Sequence, residues 1–204
     1  MTHRLVTSAL VALALTTSTV SADTDTPDTD TPDKVITAFH GALIAAMKTG
    51  PFNERFKIVA PAIRDHFQLQ TISRISLGKN WRELAPEQQS SYRALMEELI
   101  ATTYTSRFDK FDNQEFSTLS LDPISEKRMR IRTRLVTKSE TVSLDYQLRA
   151  TDEGWRIYDI VANGVSDLAL KRSNYAAIFA DGGLESVKTD IRISIAKNRE
   201  EKPD

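Results

Sequence analysis

The sequence contains no cysteine among its 204 residues. This absence excludes disulfide bonds, thiolate catalysis and metal sites built on cysteine. Only three histidines are present, and neither His40 nor His66 has a second ligand at metal-binding spacing. A phosphate-cradling glycine-rich loop is also missing, and the sequence Gly164-Val-Ser166-Asp-Leu168 lacks the second glycine of a nucleophile elbow. The sequence therefore predicts no metal and no cofactor.

Neither positive nor negative charge is in excess. Lys and Arg total 27 and Asp and Glu total 28, which gives a net charge of -1. The chain as a whole therefore presents no field that favours nucleic acid or an anionic membrane. With 40% hydrophobic residues, the composition is that of a globular protein long enough to bury a core.

The N-terminal residues have the pattern of a secretory signal. His3 and Arg4 precede an apolar run, Leu5 to Leu15, and Val20-Ser21-Ala22 forms a small-residue cleavage site. Because the run is too short for a hydrocarbon core of about 30 Å, we expect a signal peptide over residues 1–22, with an uncleaved anchor as the alternative. Residues 23–32 repeat Asp-Thr-Asp-Thr-Pro and are expected to be a disordered tether.

Apolar residues at helical spacing predict a helical first half. The predicted helices are Asp33–Lys48, Phe52–Phe67 with an interruption near Pro61, Gln70–Leu77 and Pro86–Phe108. The last of these has a wide apolar face and is expected to cover a sheet.

The middle of the chain changes to the alternating period of strands. Met129–Leu135 and Val142–Arg149 alternate strictly, and the short connection between them predicts a hairpin. Glu115–Leu121, ended by Asp122-Pro123, and Trp155–Val161 complete four strands. Short turns between sequential strands predict an antiparallel meander with one apolar face.

Two more helices follow the strands. Asn163-Gly164 ends the last strand, and Ser166 is the expected N-cap of an amphipathic helix. Gly182-Gly183 opens a final helix, Leu184 to Ala196. Helices, sheet and helices in this order predict a single α+β domain over residues 33–198, with 199–204 as a tail.

Several motifs resemble one known family. Gly154-Trp-Arg-Ile-Tyr-Asp-Ile-Val, then Gly164-Val-Ser166, a tyrosine nine residues later and Gly182-Gly183-Leu184 resemble the C-terminal signature of the MlaC family of periplasmic, toluene-tolerance-type lipid carriers. The run from Phe67 to Trp81, followed by Leu84-Ala-Pro86-Glu-Gln-Gln, resembles that family's N-terminal half. The segment 166–183 is most similar to the hopanoid-associated HpnM branch.

The resemblance implies a curved four-stranded antiparallel sheet covered by helices, similar to the NTF2-like arrangement, around an apolar cavity for acyl chains. It implies a non-enzymatic periplasmic carrier of a phospholipid or a hopanoid-type lipid. The implied partners are an inner-membrane ABC transport complex and an outer-membrane complex, and we expect a monomer. The side chains expected to line the cavity are Trp81, Tyr92, Leu95, Met96, Leu99, Tyr104, Ile131, Val142, Leu144, Tyr146, Trp155, Ile157, Val165 and Tyr175. Leu144 is expected to face the Leu95–Leu99 part of the long helix.

The alternative function is a small-molecule isomerase or dehydratase on an NTF2-like fold. Strict alternation places Asp159 on the apolar face with Trp155 and Ile157, where it would act as a base with Tyr158 or Tyr146 as donor. We favour a structural role, in which a bulge or the strand end turns Asp159 toward an arginine or a backbone amide. His40 is expected on the polar shoulder of the first helix, solvated or capped.

The densest positive charge also has two interpretations. It consists of Lys127, Arg128, Arg130, Arg132 and Arg134. We favour a solvated strand face that discourages edge pairing, and the alternative is contact with a lipid phosphate or an acidic partner. Lys171 and Arg172, beside an apolar helical stripe, are the candidates for the cavity mouth.

Overall fold

The computed structural model describes residues 31–200. The predicted signal, its cleavage site and nearly all of the predicted tether lie outside the described residues. The helices are α1 (Pro32–Met47), α2 (Phe52–His66), α3 (Leu69–Leu77), a 3₁₀ helix (Gly78–Glu83), α4 (Pro86–Arg107) and α5 (Asp167–Arg199). The strands are β1 (Glu115–Ser125), β2 (Arg128–Val136), β3 (Thr141–Thr151), β4 (Gly154–Ala162) and β5 (Val165–Ser166).

The expected interruption of the second helix at Pro61 is wrong, since α2 continues through this residue. Proline removes one helical hydrogen bond. The surrounding packing offsets this loss, because Val59 and Ile63 on either side are fully buried. Arg55 on the same helix is also buried, and its guanidinium donates hydrogen bonds to the carbonyls of Gly50 and Thr105, which anchors α2 to the end of α4.

The sheet is an antiparallel meander in the order β1-β2-β3-β4-β5. The alternation predicted for β2 and β3 is confirmed, because Ile131, Thr133, Tyr146 and Leu148 are buried on one face. The expected count of four strands is wrong by one. Asn163 and Gly164 adopt positive φ angles of 48° and 81°, and the tight turn they form returns β5 to pair with the end of β4.

The first strand is longer than predicted, because it passes through Asp122-Pro123 to Ser125. β1 is an edge strand. A proline is accommodated there without loss of a ladder hydrogen bond where its backbone nitrogen faces the open edge and not the neighbouring strand. Two register shifts leave Leu119 and Ile124 as extra, exposed residues in this strand.

The long helix covers less of the sheet than expected. α4 packs mainly on α2 and α5, whereas α1, α2, α3 and α5 contact the strands. Its neighbours are fixed in part by polar contacts: Arg64 Nε lies 3.0 Å from Glu97 Oε1, and Asn198 Nδ2 donates to Thr103 Oγ1 at 3.0 Å. Leu144 on β3 therefore does not have α4 as its main covering helix.

A break divides α5 near its middle. Gly183 has φ 67° and ψ -163°, which are not helical values, so the predicted start of a separate final helix is confirmed. Val187 and Ile191 are buried after the break. Among residues 31–200, no helix combines the length and the apolar character that a membrane span requires.

Candidate functional site

A small pocket lies where α3, α4 and α5 meet the edge of β4. Its volume is about 30 Å³, far below the roughly 300–1,000 Å³ of a typical ligand site. We call it the inner pocket, and it is lined by Phe67, Ile72, Ile100, Tyr104, Tyr158, Asp159, Ile160, Asp167, Leu168 and Lys171. Its walls are mainly apolar, and its charged groups belong to β4 and the first turns of α5.

The junction of α2 and α3 positions the inner pocket against the sheet. Phe67 forms a parallel bridge with Ile157, and the Gln68 N–H donates to the Ile157 carbonyl at 2.8 Å. The ring of Phe67 meets Phe39 edge-on with centroids 5.1 Å apart. Phe39 in turn meets Tyr104 at 5.4 Å. This aromatic group joins α1, the connection between α2 and α3, and α4 at the wall of the pocket.

Asp159 reaches the pocket because β4 contains a bulge. The strand pairs Leu148 with Ile157 and Gln147 with Asp159, so Tyr158 is the extra residue. Asp159 Oδ1 accepts from the backbone N–H groups of Ile160 at 2.8 Å and Leu168 at 3.2 Å. The arrangement that we favoured from the sequence, a bulge and backbone amide partners, is therefore present.

Ser166 completes this network. Its hydroxyl donates to Asp159 Oδ2 at 2.7 Å and accepts from the Ala169 N–H at 3.0 Å, so Ser166 is the N-cap of α5 as predicted. Partial burial raises the pKa of Asp159, although these three donors act to lower it. With these three donors directed at it, the carboxylate holds the start of α5 against β4.

The structure places Lys171 and Arg172, the two cations predicted at the cavity mouth, in different pockets. Lys171 lines the inner pocket, and its Nζ lies 2.8 and 2.9 Å from the two carboxylate oxygens of Asp167. Arg172 points instead into a different groove with Gly78 and Phe179. The charge of Lys171 is therefore balanced by Asp167 within the helix.

The structure places most of the residues predicted to line a cavity in the core. Of the fourteen, only Tyr104 lines the inner pocket. Buried in the core are Trp81, Tyr92, Met96, Leu99, Ile131, Tyr146, Ile157 and Tyr175. Half-buried are Leu95, Val142, Leu144 and Trp155. Val165, on β5, is 51% exposed.

The expectation for His40 is also wrong. It is buried on α1, and its Nε2 lies 2.9 Å from the Tyr146 hydroxyl. Its ring stacks on Phe116 with centroids 3.9 Å apart. Burial lowers the pKa of His40 to about 4, so the ring is neutral near neutral pH.

The inner pocket is poorly equipped for proton transfer. Both oxygens of Asp159 are occupied by donors, and Tyr146 is bonded to His40 in the core rather than lining the pocket. Tyr158 is the proposed donor that does share the pocket with Asp159. Within residues 31–200, no three His, Asp or Glu side chains are grouped as metal ligands would be.

A second pocket adjoins the first. It has a volume of about 330 Å³, and we call it the basic pocket. Its lining consists of Thr71, Ile75, Ser125, Lys127, Arg128, Arg149 and Tyr158. Tyr158 borders both pockets. Sequence reasoning missed Arg149 and Thr71 here, because their contact joins positions far apart in the chain.

Comparison with known proteins identifies the family. The family model described as MlaC protein matches residues 38–192. The chain belongs to the MlaC family. A solved structure of a phospholipid-binding protein from Ralstonia solanacearum, in complex with a phospholipid, matches this MlaC chain with a TM-score of 0.73 and 20% sequence identity. The match covers 81% of this chain and 97% of that one, which shows a common α+β fold.

Proposed function

We propose that this MlaC-family protein is a periplasmic carrier that binds one amphipathic lipid in the space bounded by α3, α5 and the sheet. Family membership over residues 38–192 supports a role in lipid binding and transport. The Ralstonia solanacearum protein of similar fold holds a phospholipid. A phospholipid is therefore our first candidate for the cargo, and a hopanoid-type lipid is the second.

The observation that carries the proposal is the chemistry of the inner pocket. Phe67, Ile72 and Ile100 form apolar walls, while the charged groups at the rim pair with each other or with backbone amides. Such a pocket offers hydrocarbon a dry surface and offers no free acid or base. This combination favours binding without chemical change.

The pocket must enlarge to accept acyl chains. α3 and the first half of α5 form two of its walls, and both end at glycines with positive φ, Gly78 and Gly183. Glycine adopts such angles at little cost, so these positions suit hinges. Most other apolar residues between the sheet and the helices are buried in the core, so we place the opening at the inner pocket.

The energetics suit a carrier. Shielding two acyl chains with about 30 CH₂ groups, at about 0.8 kcal/mol each, is worth on the order of 20 kcal/mol relative to water. A bilayer offers nearly the same. Transfer between a membrane complex and the carrier is therefore close to neutral, whereas release into water is strongly unfavourable. We infer exchange with an inner-membrane ABC transport complex and an outer-membrane complex, with the protein acting as a monomer.

The isomerase alternative has less support. Asp159 and Tyr158 share the inner pocket, but the carboxylate oxygens already accept hydrogen bonds from Ile160, Ser166 and Leu168. A base in this position would have to give up contacts that hold α5. We therefore assign Asp159 a positioning role.

The test is the cargo of protein purified from the periplasm without detergent. We expect an organic extract to contain about one lipid per protein by mass spectrometry, and the stripped protein to take up phospholipid from vesicles. Folded protein that yields no lipid and acquires none from vesicles would overturn the proposal. N-terminal sequencing of the same material should begin at Asp23, because cleavage is predicted after Ala22.

A further inference from the structure

The basic pocket carries charge that the rest of the fold does not use. We propose that it binds a phosphate group, as a phosphomonoester or phosphodiester, through Lys127, Arg128 and Arg149 with hydroxyl donors from Thr71 and Ser125. Assigning this phosphate to the headgroup of the carried lipid rests on the proposed function. The anion site itself does not depend on it.

The structure divides the basic run of the sequence into two parts. Arg130 and Arg132 reach the carboxylate of Asp122, with N–O distances of 3.5 and 3.0 Å. Arg134 Nε donates to Ser117 Oγ at 2.9 Å. Each of these three arginines thus has a side-chain partner on the neighbouring strand β1.

Lys127 and Arg128 are different. Both are exposed at the turn between β1 and β2, and both line the basic pocket. Within residues 31–200, neither side chain has an acidic partner, and no described residue that lines the pocket is acidic. The pocket therefore presents three cations with no internal counter-charge.

The sheet register brings like charges face to face at this site. Arg128 lies directly opposite Arg149 on β3, and Arg149 lies opposite Arg156 on β4. Like charges in cross-strand positions are destabilising. A purely structural sheet would gain by placing an acid here, whereas an anion held between the arginines turns the repulsion into attraction.

One of the arginines is already oriented. An Nη atom of Arg149 donates to Thr71 Oγ1 at 3.1 Å, which joins β3 to α3. Thr71 is 7% exposed, so this contact is sheltered. Because the Thr71 oxygen accepts from Arg149, its own proton is free to point into the pocket. A guanidinium held in one plane suits the paired oxygens of a phosphate.

The basic pocket lies where an amphipathic ligand would place its head. Tyr158 separates it from the inner pocket and contacts both. On α3, Ile72 lines the inner pocket and Ile75 lines the basic pocket. A ligand with hydrocarbon beside Ile72 would therefore present its phosphate to the arginines within about one helical turn, or roughly 5 Å.

The experiment compares two ligands with the same chains and one free anion. Stripped protein is titrated with a short-chain phosphatidylglycerol, with the matching diacylglycerol, which has no phosphate, and with inorganic phosphate. The test variant is Lys127→Gln combined with Arg128→Gln, since both side chains are exposed and their loss spares the core. The matched control is Arg134→Gln, on the same strand but outside the pocket.

We expect the double variant to bind phosphatidylglycerol at least about tenfold more weakly, as the loss of charge-assisted hydrogen bonds predicts. Diacylglycerol binding should not change, and the Arg134→Gln protein should match wild type. Recovery of affinity in Arg128→Lys with Lys127 intact would add support, because charge is retained.

The outcomes separate the anion site from the carrier function. Equal phosphatidylglycerol binding by wild type and the double variant, with no inorganic phosphate bound by either, overturns the anion site and leaves lipid carriage standing. Inorganic phosphate binding that the double variant loses, with phosphatidylglycerol unaffected, supports the anion site but overturns its assignment to a headgroup. Wild type that binds phosphate and neither lipid supports the anion site and overturns the carrier.

Discussion

The Nε2 atom of His40 lies 2.9 Å from the hydroxyl oxygen of Tyr146, which joins α1 to β3 across 106 positions of the chain. Both side chains are buried beneath the sheet. Protonation of His40 would place a charge in this apolar layer, where the nearest described partner is a hydroxyl and not a carboxylate. The pKa of about 4 follows from that cost.

The burial of His40 makes stability depend on pH. Unfolded His40 titrates near its ordinary pKa of 6.5, and folded His40 titrates at about 4. Between these values the unfolded state binds more protons, so the free energy of unfolding falls as pH falls from about 6.5 to about 4. The full loss from this group is about 3 kcal/mol. Urea titrations at several pH values measure this change in the free energy of unfolding.

The control for this prediction is His40→Gln, which cannot titrate. His66 has a lowered pKa as well, and it remains in the variant as an internal reference with the same sign. We expect a shallower decline of stability with acid in His40→Gln than in wild type. Identical slopes in the two proteins would show that His40 is not held neutral.

Asp159→Asn tests whether the buried carboxylate is structural. Asparagine keeps an oxygen for the Ile160 and Leu168 amides but loses the charged acceptor of Ser166. We expect a loss of about 1–2 kcal/mol in unfolding free energy, with lipid loading largely intact. Loss of lipid loading in a variant that remains folded would contradict the positioning role.

Ile100→Trp tests the inner pocket as the route of the acyl chains. Ile100 is 7% exposed and lines this pocket, so an indole there occupies the volume that must open. We expect a cost of about 1–3 kcal/mol from overpacking and much lower lipid content by mass spectrometry.

The matched control is Leu144→Trp. Leu144 was expected from the sequence to line the cavity, but it is half-buried on β3 and does not line the inner pocket. We now expect Leu144→Trp to load normally. If Leu144→Trp blocks lipid and Ile100→Trp does not, the chains enter the layer between the sheet and the helices near β3 and not through the inner pocket.

Gly183→Ala tests the break in α5. A Cβ at this position meets no atom within 4 Å, but the φ of 67° with ψ of -163° is accessible almost only to glycine. We expect a loss of about 1–3 kcal/mol. The comparison is Gly41→Ala in α1, where a Cβ also meets nothing and ordinary helical geometry predicts a gain of about 0.5–1 kcal/mol. Thermal melts of the two variants should shift in opposite directions.

Local patterns were sufficient for much of the fold. Strict alternation located β2 and β3, since one buried face imposes a period of two. Ser166 and Gly183 marked the start and the break of α5, because capping and positive φ depend on the residue itself. The order of the elements then gave the α+β class.

The sequence-based predictions that were wrong depended on contacts between segments that are distant in the chain. The apolar face of α4 was clear, but nothing in it reveals that α2 and α5 cover more of it than the sheet does. The extra residue at Tyr158 shifted Asp159 by one position, and a bulge has no reliable local signal. His40 was expected to be solvated or capped because its partner, Tyr146, lies on another element and is not visible from the local sequence. The pairing of Arg149 with Thr71 was hidden for the same reason.

The open edge of the sheet has a consequence for behaviour at high concentration. β1 exposes Leu119, Leu121 and Ile124, a composition that would ordinarily recruit a strand from a second molecule. Leu119 and Ile124 sit at irregularities of the ladder, and Pro123 between them has no N–H to offer a new neighbour. An incoming strand would find neither a straight edge nor a regular spacing of hydrogen-bond donors. The exposed apolar edge of β1 therefore resists the addition of strands that would lead to fibrils.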